Sequence, residues 1–173
     1  QKKPFVYRCI NRLDRDTTGL TIVAKHALAG GILGNSVAKR AIHRTYYAVC
    51  SGCTPECMRI NAPIARKDAS TIERCVDFKR GEYAVTDFIR IKYNPDNDLS
   101  LIKLRLLTGR THQIRVHMKY IGFPLIGDFL YNPDYTYISR QALHSGRLVF
   151  THPVTGQKMD LRSDIPSDMK SLF

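Results

Sequence analysis

Residues 99–122 read LSLIKLRLLTGRTHQIRVHMKYIG, and the change from strand to helix within them decides the fold. In the first part of this stretch, apolar side chains alternate with basic ones. Ile102, Leu104 and Leu106 fall on one face, and Lys103 and Arg105 fall on the other. This alternation is typical of a strand with one buried face, so the sequence predicts a strand over residues 99–107.

An amphipathic helix is predicted directly after this strand. One apolar stripe is formed by residues at helical spacing, namely Ile114, Met118 and Ile121, and Gly122 with Pro124 supplies a stop. We expect about three turns, with the hydroxyl of Thr108 or Thr111 capping the first turn.

Polar side chains occupy the other side of this predicted helix. His112, Arg115 and Lys119 fall opposite the stripe or at its flank, and Arg110 precedes them at an N-terminus that favours anions. The pattern fits a basic cluster that binds an anion and fits a solvated helix face equally well.

Turn residues divide the remainder of the chain into short segments, with no internal repeat and no linker that would separate two domains. A helix is predicted over residues 26–39, although Gly30, Gly31 and Gly34 weaken it. Strands are predicted over residues 44–50, 71–77 and 83–93, after a short apolar run at 20–24. The Asn-Pro-Asp-Asn turn at 94–97 joins the last of these strands to the strand over 99–107.

Length and charge restrict the class of protein. A chain of 173 residues with 43% apolar content predicts one domain with a real core. The formal net charge of +12 favours a polyanionic partner, with nucleic acid as the first expectation. A membrane surface is the competing partner, but the sequence contains neither a long basic amphipathic helix nor an apolar run of about 18 residues.

Cysteine usage indicates a reducing compartment. The five cysteines, at positions 9, 50, 53, 57 and 75, cannot all pair, and no signal peptide precedes them. We therefore expect a cytoplasmic protein. Cys50, Cys53 and Cys57 have a spacing that resembles metal ligands, but no second cysteine pair follows to complete a structural zinc site. We expect no metal.

The stretch RLDRDTTG at residues 12–19 places Asp14 between Arg12 and Arg15, just before a Thr-Thr-Gly turn. A nearby arginine favours the charged form of a carboxylate, so we expect Asp14 to be ionised at neutral pH. This state suits a nucleophile or an electrostatic group rather than a general acid. A surface ion pair of little consequence is the alternative.

Several motifs taken together resemble those of the RluA-type pseudouridine synthases, which isomerise uridine in ribosomal or transfer RNA. They are RLDRDTTGL at 12–20, RTYYAV at 44–49 and LLTGRTHQIRVHMKYIGFPLIGDFLY at 106–131, followed by ALHS at 142–145 and THP at 151–153. The resemblance implies an α+β fold whose mixed, mainly antiparallel sheet is flanked by helices and crossed by a central basic cleft. The strands predicted above agree with such a sheet.

The resemblance also implies roles for individual residues. Asp14 matches the catalytic aspartate of the family's Arg-Leu-Asp motif, and Arg115 matches the arginine of His-Gln-Ile-Arg that holds this aspartate. Tyr46 matches the active-site tyrosine of a Lys-x-Tyr motif, in which Arg44 replaces the lysine and keeps the charge. Tyr46 could stack on the base and, if nearby cations lower its pKa, help to move a proton.

In this family the glycosidic bond of a uridine is cut, the base is rotated, and C5 is joined to the ribose, without a cofactor or a metal. Attack of the carboxylate on the ribose, attack on C6 and a glycal route remain open. The target uridine must leave the RNA stack, and we expect Arg12 to fill its place. Arg15, Arg110, His112 and Lys119 are then expected to contact phosphates. No membrane and no obligate protein partner is indicated.

Two departures from the family pattern bear on these expectations. Asn11 stands where many members have histidine, which should alter detail rather than remove activity. Members also carry, upstream of this motif, a strand and often a small RNA-binding domain, and residues 1–173 are expected to be the catalytic domain without them. Two alternatives follow: an RNA-binding module that has lost its chemistry, and a metal-dependent nuclease that uses His112, His117 and Asp128.

Overall fold

The computed structural model describes residues 6–69 and 71–173. Eleven strands and three helices occur in these residues, in the order β1 Arg8–Cys9, β2 Thr18–Gly19, β3 Val23–Ala24, α1 Ala27–Ala38, β4 His43–Ser51, β5 Cys57–Asn61, β6 Ile64–Arg66, β7 Arg74–Val76, β8 Val85–Asn94, β9 Leu99–Leu106, α2 Gln113–Tyr120, β10 Leu143–Thr151, β11 Lys158–Arg162 and α3 Ser167–Lys170. None of these helices has the length and apolar character needed to cross a bilayer.

One sheet of seven strands organises the molecule. Six strands follow the order β11-β10-β4-β9-β8-β5, and every neighbouring pair among them is antiparallel. The seventh strand, β2, pairs in parallel with His144 and Ser145 near the start of β10. Strand β11 pairs with the later residues of β10, 147–151. Two small antiparallel pairs, β1 with β3 and the hairpin β6-β7, lie outside this sheet. The predicted mixed and mainly antiparallel architecture is confirmed.

The alternation in the opening stretch places β9 as predicted. Ile102 and Leu104 are fully buried, whereas Lys103 and Arg105 are exposed on the other face. The predicted strands over 44–50 and 83–93 correspond to β4 and β8, and the turn at 94–97 connects β8 to β9. The strand predicted over 71–77 is reduced to the three residues of β7, because it pairs only with the equally short β6.

The helix predicted over 26–39 is α1, with His26 as the N-cap residue whose ring accepts a hydrogen bond from the backbone N–H of Ala29. Its glycines are tolerated because Ala29 and Leu33 pack into a cluster with Leu148 and Phe150 from β10. Tertiary burial of this face therefore outweighs the poor helix propensity of glycine.

The predicted helix after β9 is shorter and more deeply buried than its pattern indicates. It has eight residues, and neither Thr108 nor Thr111 caps it. The N-cap residue is His112, whose side chain makes no capping bond to the helix. The hydroxyl of Thr108 is used instead to accept from the Val85 N–H and to contact Gln113. On the predicted polar side, Arg115 is buried against Asp14 and the loop after α2, which carries Asp128 and Tyr131, whereas Lys119 is exposed. Arg115 is therefore a core residue, not a residue of a solvated face.

Strands β5, β10 and β11 are absent from the sequence-based prediction, although β10 is an interior strand, between β11 and β4. Residues 143–146 of β10 are buried, so this strand lacks the alternation that marks a half-exposed strand. Its first residues lie next to Thr18 and Gly19, and this pairing brings the chain around Asp14 against the core of the sheet.

Candidate active site

Asp14 lies in the loop between β1 and β2, where a turn is closed by a bond of 3.0 Å from the Thr17 N–H to the Asp14 carbonyl. Nη1 of Arg115 lies 3.3 Å from Oδ2 of Asp14, and 27% of the Asp14 side chain is exposed. Among the described residues, the cation that pairs with Asp14 is thus Arg115 from α2. Arg15, its neighbour in sequence, lies against Asp16 instead.

Arg115 also binds a second carboxylate, Asp128, through the guanidinium nitrogens that do not face Asp14. Its Nε and Nη2 donate to the two oxygens of Asp128 at 2.7 Å each, and both side chains are 1% exposed. Asp128 also accepts from the backbone N–H groups of Leu130 and Tyr131. Burial acts to lower the pKa of Arg115, but bonding to Asp128 and the charges of Asp128 and Asp14 outweigh it and raise that pKa. Arg115 is therefore permanently charged.

Tyr46 enters the site from the middle of β4. Its side chain is buried, and burial is the main reason that its pKa is raised, while Arg44 acts in the opposite direction and Asp14 adds to the rise. The condition for Tyr46 to help move a proton, a pKa lowered by nearby cations, is therefore not met, because desolvation exceeds the effect of Arg44. The phenol keeps its proton at neutral pH.

These side chains line one cleft, which opens to solvent. Six of the eight residues expected to form the site line it: Asp14, Tyr46, Arg115, Arg12, Arg110 and His112. Arg12 is exposed at the mouth, and His112 is half-buried with its ring against Tyr131. Arg110 is engaged in an ion pair with Glu82 and donates to the carbonyl of Tyr83.

The other two expected RNA contacts lie beside the cleft. The Arg15 guanidinium stacks over the ring of Phe129 at 4.7 Å from its centroid, and its side chain is 75% exposed. The ammonium of Lys119 lies 5.6 Å from the centroid of the Tyr131 ring. Both remain cations near the site, but neither belongs to the wall around Asp14.

Two basic grooves adjoin the cleft and share Gly109, Arg110 and Thr111 with each other. The first contains Arg40, His43 and Arg105, and it also reaches Asp14. The second contains Arg66, Arg74 and Arg80 from the β6-β7 region. Sequence reasoning did not select these arginines, since they are distributed over 66 positions, from 40 to 105, without a common motif. The predicted central basic cleft thus continues on both sides.

The residues of the nuclease alternative serve other purposes. His117 is fully buried, with one ring nitrogen bonded to Thr86 and the other to the Ala62 carbonyl. Asp128 holds Arg115, as described above. Throughout residues 6–69 and 71–173, no group of three or more His, Cys, Asp or Glu side chains is arranged to hold a metal ion. The proposed metal triad is therefore wrong.

Sequence reasoning missed the structural role of Asp128 and the contribution of Thr17. The Nε2 amide of the buried Gln141 donates to the Thr17 hydroxyl at 2.6 Å, which ties the Asp14 turn to the segment before β10. Asp128 lies within the motif at residues 106–131, which could have drawn attention to it. Nothing in the local sequence, however, indicates that Asp128 pairs with Arg115.

Comparisons with known proteins show which family the chain belongs to. A family profile described as RNA pseudouridylate synthase matches residues 1–120. The "Uncharacterized RNA pseudouridine synthase YjbO" of Bacillus subtilis (strain 168) is 44% identical over 165 residues, which are 95% of this chain and 57% of that protein. The "Ribosomal large subunit pseudouridine synthase D" of Zymomonas mobilis is 38% identical over 174 residues, covering 95% of this chain and 54% of the relative.

A solved structure, "Human RNA Pseudouridylate Synthase Domain Containing 1", superimposes with a TM-score of 0.80 at 25% identity, covering 92% of this chain and 69% of the human chain. The chain spans little more than half the length of the curated relatives it matches. The profile match, the similarity to these relatives and the shared fold show that this chain belongs to the RNA pseudouridylate synthase family.

Proposed function

We propose that this chain isomerises uridine to pseudouridine within structured ribosomal or transfer RNA, with Asp14 as the catalytic carboxylate. The observation that carries the proposal is the ion pair at the floor of the cleft, in which the buried Arg115 holds one oxygen of Asp14. A carboxylate held in this way keeps its orientation while its open side faces the substrate. The names of the relatives support the same activity.

The reaction exchanges one bond of the nucleoside for another. The bond between N1 of uracil and C1′ of the ribose breaks, and a bond between C5 and C1′ forms. C5 gives up its hydrogen as a proton, and N1 gains a proton, so the product is an isomer and no electrons are gained or lost. A carboxylate that attacks and later leaves divides this exchange into easier steps, and the walls of the cleft keep the detached base in place.

Tyr46 supports the proposal as a buried neutral phenol. Because its pKa is raised, mainly by burial, the hydroxyl serves as a hydrogen-bond donor, and the ring offers a flat surface for the uracil. Tyr46 is a poor candidate for the base that removes the C5 proton. Only its phenolate form could accept that proton, and a phenol with a raised pKa loses its own proton only far above neutral pH.

The substrate is expected to be an RNA whose target uridine is extruded from its stack, at a cost of a few kcal/mol. Arg12, exposed at the mouth of the cleft, is placed to occupy the vacated position. Phosphates on either side would lie in the two basic grooves, and Arg110 would exchange Glu82 for a phosphate. Arg15, His112 and Lys119 complete the expected contacts. The five unpaired cysteines accord with a cytoplasmic location.

The proposal is tested by incubating the chain with ribosomal and transfer RNAs that lack pseudouridine and mapping pseudouridine after carbodiimide treatment. New stops that appear with the wild-type chain and disappear with Asp14→Asn would support the activity and identify the target. A folded chain that binds RNA but produces no stops would instead be a non-catalytic RNA-binding module, and the assignment of Asp14 would fall.

A further inference from the structure

The hydroxyl of Tyr131 lies between the β6-β7 hairpin and the cleft. The backbone N–H of Arg74 on β7 donates to this hydroxyl at 2.9 Å, and the hydroxyl lies 2.9 Å from Nδ1 of His112. Tyr131 is 4% exposed, so water does not replace these partners. One buried hydroxyl thus joins the hairpin to a side chain of the cleft wall.

The direction of the second hydrogen bond follows from counting donors and acceptors. The Tyr131 oxygen already accepts from Arg74, and its own hydrogen needs an acceptor. Within the part of the chain that the structure describes, Nδ1 of His112 is the acceptor in reach of this hydroxyl. If His112 donated instead, the tyrosine hydrogen would be buried without a partner, which native structures avoid. Tyr131 therefore donates, and the proton of a neutral His112 resides on Nε2.

The environment of both rings agrees with neutral partners. Burial raises the pKa of Tyr131 to about 12, so the hydroxyl keeps its hydrogen. Burial is also the main cause that lowers the pKa of His112, assisted by Arg115 and Arg74 and opposed by Asp14 and Asp128. His112 is thus an uncharged imidazole at neutral pH.

His112 is placed to use its free Nε2–H inside the cleft. It is the N-cap residue of α2 and has a φ of 56°, a left-handed conformation that non-glycine residues adopt rarely and often at functional sites. The ring is set edge-on to Tyr131, with centroids 5.8 Å apart, and it lines the cleft together with Asp14. Nε2 makes no hydrogen bond to residues 6–69 or 71–173, so this donor is available.

We propose that Tyr131 is a positioning residue, whose hydroxyl fixes the tautomer of His112 so that Nε2–H is offered to an oxygen of the uridine in the cleft. This inference rests on the proposed function and assigns His112 a contact with the nucleoside rather than with a phosphate. Uracil carbonyls and ribose hydroxyls are the acceptors that a neutral imidazole N–H recognises.

The tautomer can be observed directly by nitrogen NMR of histidine-labelled chain without RNA. The His112 signals are identified by their loss in His112→Gln. We expect a protonated Nε2 and an unprotonated Nδ1 in the wild type, and a shift toward the other tautomer in Tyr131→Phe. Tyr120→Phe is the matched control, because this exposed tyrosine is the last residue of α2 and its ring lies near Phe78, not near His112. A wild-type His112 protonated on Nδ1 would overturn the inference.

Kinetics test whether this arrangement serves the reaction. Tyr131→Phe keeps the ring that packs against Arg115, so it is expected to fold, which thermal melting checks. We expect kcat for pseudouridine formation to fall about tenfold while the Kd for RNA changes less than twofold. In a His112→Gln background, where an amide N–H replaces Nε2–H and no imidazole tautomer exists, Tyr131→Phe should cause no further loss.

Additive losses in the double variant, or an unchanged kcat in Tyr131→Phe, would contradict the inference and leave the proposed function standing. A wild-type chain that forms no pseudouridine would refute the proposed function instead. In that event the NMR measurement would still report the tautomer of His112, but the role of Tyr131 in positioning His112 for catalysis would be withdrawn.

Discussion

Arg115 contacts two carboxylates, and the two contacts differ in geometry. Asp128 receives two bonds of 2.7 Å, whereas Asp14 receives one of 3.3 Å. A two-point contact fixes the plane of a guanidinium, and a one-point contact leaves its partner free to rotate. Asp128 therefore orients Arg115, and Arg115 directs Asp14 toward the cleft without surrounding it.

Asp128→Asn should be destabilising, because it leaves the buried Arg115 without its principal counter-charge. Breaking a buried pair in this way typically costs about 3–5 kcal/mol. Urea denaturation measures the loss directly. Asp160→Asn, at an exposed ion pair with Arg147, is the control and should change the free energy of unfolding very little. Equal small effects at both positions would show that Asp128 does not hold Arg115 in solution.

The sequence allowed Asp14 and Arg115 to be selected, but it did not predict the contacts and the burial of the side chains around them. The motifs around both residues led to their predicted pairing, 101 positions apart. Asp128 was placed in a metal triad, because its pairing with Arg115 arises only when the loop after α2 folds back over the helix. The raised pKa of Tyr46 was missed because burial by neighbouring strands is not visible in Arg-Thr-Tyr.

At the scale of elements, the site depends on the parallel pairing of β2 with β10. Gly19 has a φ of +103°, and a Cβ at this position would lie 2.3 Å from the Ser145 carbonyl oxygen. The two strands can approach only because this side chain is absent. The approach also fixes the loop that carries Asp14, which ends where β2 begins.

Gly19→Ala is therefore expected to lower both stability and activity, since the clash must push β2 away from β10. Gly156→Ala is the matched control, because Gly156 also has a positive φ, +70°, but a Cβ there meets nothing within 4 Å. Backbone strain alone costs about 1–3 kcal/mol in such conformations. Melting temperatures and initial rates should fall further for Gly19→Ala than for the control, and similar losses would argue against close packing of β2.

Buried histidines on these elements predict a stability that declines in mild acid. Burial is the first cause that lowers the pKa of His112, His117 and His144 in the folded chain. Below the ordinary value of about 6.5, the unfolded chain therefore binds protons that the folded chain resists, and unfolding is favoured as pH falls.

Each such histidine contributes a slope of up to about 1.4 kcal/mol per pH unit. Urea denaturation between pH 7.5 and 5 should show this decline, and His117→Gln should reduce its steepness while lowering stability at neutral pH. An unfolding free energy that stays constant over this range would show that these histidines titrate normally.

Elements with clear periodicity were predictable, and those defined by their neighbours were not. The alternation of β9 and the stripe of Ile114 and Met118 correspond to observed burial. β10 was missed because buried residues at its start hide the alternation. The burial of Arg115 was missed because the loop after α2, with Asp128 and Tyr131, covers a helix residue that reads as polar. A periodic pattern in the sequence indicates burial of one face of an element, whereas β10 and α2 are each buried on more than one face.

At the scale of the whole molecule, positive charge is concentrated beside the cleft. Arginines line both grooves that meet at Gly109, Arg110 and Thr111. The net charge of +12 was visible in the sequence, but its distribution over residues far apart in the chain depends on the sheet order. Composition thus predicted a polyanionic partner, but it could not predict where on the surface such a partner would bind.

RNA affinity should decrease steeply with added salt, because each neutralised phosphate releases counterions. Arg40→Gln in one groove and Arg66→Gln in the other should each reduce the slope of log affinity against log salt by about 0.7–0.9. Arg162→Gln on the edge strand β11, a residue that lines neither groove, is the control and should leave the slope unchanged. A flat salt response of the wild type would refute phosphate-led binding.

The most direct test of the central claim measures release of tritium from RNA labelled at C5 of uridine, since this hydrogen must leave when C5 bonds to the ribose. RNA binding is measured in parallel. We expect release with the wild-type chain, and with Asp14→Asn a rate lower by about a thousandfold or more with nearly unchanged affinity. Release by Asp14→Asn at the wild-type rate, or tight RNA binding by the wild type without any release, would contradict the account.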